Sequence, residues 1–168
     1  MPHSFPVSIL VNYQLTPDNR WQLGRWYVSG VVAGGQGQGE AVKQTPLHAE
    51  AGQQQTLWTG LRVELHKDEA ESYYFNIISE RPRVFVVCTL DNNGPLRPLL
   101  ATLSYDEAGS HLESDDIVES VAMPAELYRW VEQFVLEHYL PQKKKKRKRD
   151  NWKEESRERP PGHRQRIG

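Results

Sequence analysis

The chain has 168 residues, of which 38% are hydrophobic and only Cys88 is a cysteine, so it fits one folded domain with an appendage and no intramolecular disulfide. The formal net charge of −1 conceals a split, since residues 1–140 carry nine basic against eighteen acidic side chains and residues 141–168 carry twelve against four. No apolar run approaches the about 18–20 residues that cross a bilayer, and Met1–Leu15 lacks the regions of a secretory signal, so we expect a cytoplasmic protein.

The first part of the chain predicts two strands and a long loop. Phe5–Leu15 alternates loosely between apolar and polar residues, and Trp21–Val32 is aromatic and β-branched, so each segment predicts a strand. Residues 34–55 are rich in Gly and Gln and show little periodicity. We therefore predict a mobile loop there, with one edge segment near Pro46–His48.

The central part predicts a succession of strands. Residues 61–65 alternate between apolar and polar side chains, which is typical of a half-buried strand. Tyr73–Ile78 and Val84–Leu90 predict two more strands. Asp91–Pro95 is a strong hairpin signal and leads to a strand through Leu99–Leu103.

The last part of the domain predicts helices. Ser104 and Glu107 have the spacing of a capping box, in which each side chain satisfies a free backbone donor, so a short helix to about Leu112 is expected. A final helix begins at Pro124 and ends before Pro141. Its apolar stripe consists of Leu127, Trp130, Val131, Phe134, Val135 and His138. The sequence thus predicts an α+β domain over residues 1–140, an antiparallel meander of about six strands covered by a C-terminal helix.

The glycine-rich segment Val31–Gly39 is a weak candidate for a phosphate site. Backbone N–H groups approach a phosphate closely where no Cβ intervenes, and the segment faintly resembles the Ala-Gly-Gly loop of nucleotidyltransferases that attach guanylate to molybdopterin. However, no amphipathic helix follows it, and no Arg or Lys stands where such a loop uses one. A flexible loop is the favoured interpretation.

The candidate polar site consists of His66, Asp68, Glu69 and Glu71, between two predicted strands. An imidazole with several carboxylates could bind a metal or transfer protons. Further ligands are only scattered along the chain, so we predict neither a metal site nor a cofactor, and a charged surface turn is the favoured interpretation. Cys88 lies in an apolar run where a buried, inert thiol is expected, and no catalytic residue is predicted.

The strongest signal is the basic run in residues 141–168, which we predict to be a disordered tail because adjacent cations repel one another. The run consists of Lys143, Lys144, Lys145, Lys146, Arg147, Lys148 and Arg149. RNA or the ribosome, anionic lipid, and an acidic protein surface, including the chain's own domain, are its candidate partners. A solubilising tail without a specific partner is the alternative.

Three segments together carry a family resemblance: Gly60–Asn76, Thr102–Ala108 and Met123–Tyr139. With the Lys-rich ending, they resemble an uncharacterised bacterial family, a domain of unknown function whose genes commonly neighbour those for molybdenum-dependent formate dehydrogenase. The resemblance implies a cytoplasmic accessory of that enzyme or of its cofactor supply. Some relatives carry a molybdopterin-guanine-dinucleotide biosynthesis label.

These observations lead to one favoured function and two alternatives. We expect a non-enzymatic accessory or binding protein that assists formate dehydrogenase assembly or molybdenum-cofactor supply, with a dehydrogenase subunit or a maturation factor as its partner. The first alternative is a nucleic-acid- or ribosome-associated protein that acts through the tail. The second is an enzyme of molybdopterin-guanine-dinucleotide biosynthesis.

Overall fold

The computed structural model describes residues 3–16, 24–35, 41–92 and 94–140. Its helices and strands, in chain order, are β1 (Ser4–Leu15), β2 (Gly24–Ala33), β3 (Lys43–Glu50), β4 (Gln53–Glu64), α1 (Ala70–Ile77), β5 (Arg83–Leu90), β6 (Leu96–Thr102), α2 (Tyr105–Glu113), β7 (Ile117–Ala122) and α3 (Ala125–His138). The predicted tail of residues 141–168, with the run Lys143–Arg149, lies outside the described residues.

The strands form one mixed sheet in the order β2-β1-β4-β6-β5-β7, and β3 pairs with β4 beside this path. β4 and β6 are parallel, with Val63 opposite Ala101, whereas the other described pairs are antiparallel. β2 and β7, at the two ends of the path, approach each other, so the sheet nearly closes into a barrel. The α+β class and the C-terminal helix are confirmed. The purely antiparallel meander is wrong, because β6 inserts between β4 and β5.

The core lies inside the curved sheet and under α3. Alternate residues of β1 point inward, and Val7, Ile9 and Val11 are each at most 1% exposed. The predicted stripe of α3 is confirmed for Leu127, Trp130, Val131, Phe134 and Val135, which are buried, while His138 is half-buried. Burial of each such side chain stabilises the fold by about 1.5–3 kcal/mol. The helix is therefore held on the sheet by its apolar face.

The segment Tyr73–Ile78, predicted to be a strand, is helical instead: Tyr73–Ile77 belongs to α1, and Ile78 is the C-cap of that helix. Its aromatic residues favour a strand, but its buried residues Ser72, Tyr73, Asn76 and Ile77 follow helical spacing rather than strand alternation. The fully buried Asn76 explains this choice. Its side chain donates to the carbonyls of Arg83 and Leu103 and accepts from the N–H of Arg83 at 2.8–2.9 Å, so α1 is tied to the start of β5 and the end of β6.

The loop predicted over residues 34–55 is wrong for residues 43–50 and 53–55, which form β3 and the start of β4. All eight residues of β3 are exposed, so no buried alternation marks the strand in the sequence. The edge segment predicted near Pro46–His48 is confirmed, since β3 pairs only with β4 among the described strands. The short strand β7 has no predicted counterpart.

A β-bulge at Gly60 interrupts β4. Val7 of β1 is opposite Leu61 and Ile9 is opposite Trp58, so two residues of β4 occupy the space of one residue of β1. Gly60 has φ +88, and a Cβ there would lie 2.7 Å from the carbonyl oxygen of Ala41. On one side of the bulge β4 pairs with β3, and on the other side it pairs with β6. The bulge thus stands where β4 changes its neighbour.

Replacement of Gly60 by Ala should lower the free energy of unfolding by about 1–3 kcal/mol, because the new Cβ meets both a strained φ and the Ala41 backbone. Gly109→Ala is the matched control. Gly109 lies within α2, and a Cβ there meets no atom within 4 Å, so that variant should gain about 0.5–1 kcal/mol. Urea unfolding followed by circular dichroism measures the free energy of unfolding of both variants. Equal stabilities for the two variants would refute the assigned role of Gly60.

Candidate functional site

The ends of β4 and β6 bring polar residues together. After β4 the chain makes a 3-10 turn at Lys67–Glu69 and enters α1, and after β6 it enters α2 at Tyr105. Because the two strands are parallel, their carboxyl ends meet at the same edge of the sheet. The first turns of α1 and α2 therefore lie side by side there.

A hydrogen-bonded network joins these two first turns. The fully buried Ser104 hydroxyl accepts from the N–H of Glu107 at 3.1 Å and donates to the carboxylate of Glu69. The hydroxyl oxygens of Ser104 and Ser72 are 3.1 Å apart, and Ser72 accepts from the N–H of Asp106 at 3.2 Å. Ser104 is thus both the cap of α2 and its connection to α1.

The capping box predicted for Ser104 and Glu107 is half confirmed. The Ser104 hydroxyl caps α2 as expected. The reciprocal bond is relayed through Thr102: its hydroxyl accepts from the N–H of Ser104 at 3.1 Å and donates to the Glu107 carboxylate at 2.6 Å. Thr102 is 2% exposed, so a buried hydroxyl sets the position of the Glu107 carboxylate.

A groove of about 360 Å³ lies between β4 and β6 next to this network. It is lined by Gly60, Leu61, Arg62, Glu64, His66, Leu99, Leu100, Ala101 and Glu107. Both walls are irregular strands, since β4 has the Gly60 bulge and the pairing of β6 with β5 slips at Leu99. Such irregularities are common beside functional sites, where they re-aim side chains. We call this feature the β4/β6 groove.

The structure divides the predicted polar site. His66 lines the β4/β6 groove, and its backbone N–H donates to the hydroxyl of Tyr73 at 3.0 Å. Glu69 is bound by Ser104. Asp68 and Glu71 line a second groove of about 450 Å³, together with His138, Tyr139 and Leu140 at the end of α3. In the part of the chain that the structure describes, no three His, Cys, Asp or Glu side chains are grouped to hold a metal ion.

Several residues at this edge were not found from the sequence. The sequence pattern around Arg62 and Glu64 indicates only the polar half of a strand, and no local pattern predicts a role for Thr102. Their proximity follows from the parallel pairing of β4 with β6, which spans nearly forty residues of chain and leaves no local pattern. The local signals at this edge are the spacing of Ser104 and Glu107 and the polar cluster that contains His66 and Glu69.

A second surface feature is a set of aromatic and apolar side chains on α1 and at the end of α3. Tyr74 stacks on Tyr139 with ring centroids 4.7 Å apart, and Phe75 lies 5.6 Å from Tyr74. Phe75 is 50% exposed and Ile78 is 56% exposed. We call Tyr74, Phe75, Ile78 and Tyr139 the α1 patch. Leu140, at 85% exposure, follows it directly.

The glycine-rich segment is described up to residue 35, and residues 36–40 lie outside the described residues. Gly34 and Gly35 have φ values of +93 and +144. The N–H of Gly34 donates to the carbonyl of Pro6 at 2.8 Å, so this amide is already engaged within the sheet. Cys88 is buried as expected, and burial raises the pKa of its thiol to about 12.

The fold and these surfaces define a small α+β domain built on a nearly closed mixed sheet. The chain belongs to the family described as "Protein of unknown function (DUF3305)", whose model matches residues 6–148. The predicted membership in a family of unknown function is thereby confirmed, while the family description names no enzyme, partner or organism. Searches of curated proteins and of solved structures gave no significant match. Among the described helices, none combines the length and apolarity that crossing a membrane requires.

The buried phenol of Tyr73 predicts a loss of stability at high pH. Burial raises its pKa from 10.0 to about 12, so the unfolded chain ionises first. The stabilisation by the neutral ring is complete below pH 10 and is lost as the pH rises from about 10 to about 12. Burial of Cys88 acts in the same direction from 9.0 to about 12.

Tyr73→Phe removes the first of these two titrations. Its free energy of unfolding should therefore fall less between pH 8 and pH 11 than that of the wild type, although it is lower at pH 8 because the N–H of His66 loses its acceptor. Urea unfolding at both pH values gives the two slopes. Parallel losses in both proteins would contradict the linkage.

Proposed function

We propose that this protein is a non-enzymatic cytoplasmic accessory that binds a partner protein, and that the α1 patch is its contact surface. The exposure of Phe75 and Ile78 beside the stacked Tyr74 and Tyr139 carries the proposal. Aromatic side chains are enriched at interfaces because they bury a large area with few rotatable bonds. A grouped set of exposed apolar side chains is a feature that soluble proteins rarely keep without a partner.

The support beneath the α1 patch is rigid. On the inner face of α1, Tyr73 packs against Phe134 of α3 with ring centroids 5.9 Å apart. Asn76 ties the same helix to the backbone of β5 and β6. The outer side chains are therefore presented by an ordered helix, which lowers the entropy lost when a partner binds.

The buried positions of Ser104 and Cys88, two nucleophilic side chains among the described residues, support a binding role. Ser104 is fully buried and its hydroxyl is engaged by Glu107 and Glu69. The thiol of Cys88 is 2% exposed, and its raised pKa keeps it protonated. Neither group is placed to attack a substrate from solvent.

We propose a formate dehydrogenase subunit or one of its maturation factors as the partner, on the basis of the resemblance carried by Gly60–Asn76, Thr102–Ala108 and Met123–Tyr139. The basic run Lys143–Arg149 would assist as an electrostatic tether. It begins three positions after Leu140 in the sequence, so at most about 10 Å of chain separates it from the end of the described domain. A partner with an acidic surface next to its apolar contact would bind both the α1 patch and the basic run.

Polar substitution of the α1 patch should abolish partner capture. The double variant Phe75→Ser/Ile78→Ser removes the two most exposed side chains of the patch and leaves the buried face of α1 intact. Leu112→Ser is the matched control, because Leu112 is 58% exposed on α2 and lies outside the patch. Tagged wild type and Leu112→Ser should retain a dehydrogenase subunit in pull-downs, whereas the double variant should lose at least about tenfold of it.

A tail variant with Lys143–Lys146 replaced by Gln separates this proposal from the nucleic-acid alternative. In our proposal it weakens capture mainly at low salt, and the α1 patch variant still loses capture. If the tail acts alone on RNA or ribosomes, the tail variant abolishes binding and the α1 patch variant has no effect. Absence of any dehydrogenase subunit from wild-type pull-downs would refute the proposed partner.

A further inference from the structure

We propose that the β4/β6 groove binds a small aliphatic primary amine in its ammonium form. The juxtaposition that supports this is two carboxylates, Glu64 and Glu107, facing a leucine-lined wall in one groove. None of the residues of the α1 patch lines this groove, so the proposal is independent of the partner contact.

The carboxylate of Glu107 is an acceptor held in place before any ligand arrives. One of its oxygens accepts from the buried hydroxyl of Thr102 at 2.6 Å. That hydroxyl is itself bound by the N–H of Ser104, so its orientation is set by the backbone. The second carboxylate oxygen of Glu107 has no hydrogen bond to another described residue. A preorganised carboxylate binds an N–H donor without the cost of ordering its own side chain.

The two carboxylates of the groove form no ion pair within the described chain. The ion pairs of the described residues involve other side chains, so neither Glu64 nor Glu107 has a cationic partner there. Arg62 also lines the groove, but its Nε donates to the Ser4 hydroxyl at 2.6 Å and a terminal nitrogen lies 3.5 Å from the Ser4 carbonyl oxygen. Its guanidinium donates toward β1 and keeps its positive charge. The groove therefore holds two carboxylates against one guanidinium, and this excess of negative charge favours a cationic ligand.

The remaining wall selects an organic cation rather than a metal ion. Leu61, Leu99 and Leu100 line the groove, and Leu99 is 49% exposed. Methylene groups of a ligand would cover the exposed part of Leu99, while a hydrated ion would gain nothing from it. In the described part of the chain, no group of three or more potential ligands is placed for a metal. The volume of about 360 Å³ accommodates a short alkylamine.

The experiment is a titration of the full-length protein with 1,4-diaminobutane, followed by NMR of the backbone amides and the His66 ring. We expect saturable shifts at Glu64, His66 and Ala101, which line the groove. Tetramethylammonium has the same type of charge but no N–H donor, so it should bind at least about tenfold more weakly. If 1,4-diaminobutane produces no saturable shift, or Mg²⁺ produces the same shifts at lower concentration, the proposal is overturned.

Two variants test the carboxylates. Glu107→Gln keeps an oxygen for the Thr102 hydroxyl while removing the charge, and it should weaken amine binding at least about tenfold. Glu64→Gln changes an exposed side chain and should weaken binding in the same direction without risk to folding. Glu113→Gln, at the far end of α2 and outside the groove, is the control and should bind as the wild type does. Equal affinities for all four proteins would exclude this site.

Discussion

The left-handed backbone at Gly60 is the constraint on which the arrangement of the sheet depends. With φ +88 and the Ala41 backbone pressed against the position of its missing side chain, this residue lets β4 carry an extra residue against β1. The strand can then pair with β3 along its first part and with β6 along its last part. The parallel pair, the groove between its strands and the meeting of two helix starts all follow from that change of neighbour.

Hydrogen bonds to buried polar side chains then connect the sheet to its helices. Asn76 satisfies backbone groups of Arg83 and Leu103, and Ser104 joins the first turns of α1 and α2. Each group is costly to leave unpaired in the interior, by about 1–3 kcal/mol, so the partners specify where α1 sits. Among the described residues, the Ser104 hydroxyl is engaged in this structural role. The surfaces on which we propose that other molecules bind are the α1 patch and the β4/β6 groove.

Local pattern sufficed to predict much of the fold. Three elements have a repeated apolar pattern within their own sequence: the alternation of β1, the apolar run of β5 and the broad stripe of α3. The bounds of each were predicted to within a few residues. Elements that depend on contacts with distant parts of the chain were not predicted. The aromatic residues of α1 favour a strand, and the helix is stabilised by the hydrogen bonds of Asn76 to the backbone at the start of β5 and after β6. The strand β3 has no buried residue, so no apolar alternation indicates it in the sequence.

The candidate site shows the same division. His66, Asp68, Glu69 and Glu71 are adjacent in sequence, yet successive residues of a tight turn and helix point in different directions, so the fold sends them to a groove, a buried bond and a second groove. Thr102 and Glu64 come together with Glu107 only because two parallel strands bring distant segments to one edge. Charge clustering in the sequence indicated polar surface, but the pairing of strands decided which polar groups share a cavity.

The burial of Cys88 has a practical consequence for spectroscopy on this protein. A thiol that is 2% exposed and whose pKa is raised to about 12 will not react with maleimides or nitroxide reagents in the folded chain near neutral pH. A cysteine introduced on the surface, for instance at an exposed position of β3 or α2, can then be labelled selectively. The native Cys88 does not have to be removed first. Pairs of such labels can report distances across the barrel opening while the interior remains that of the natural sequence.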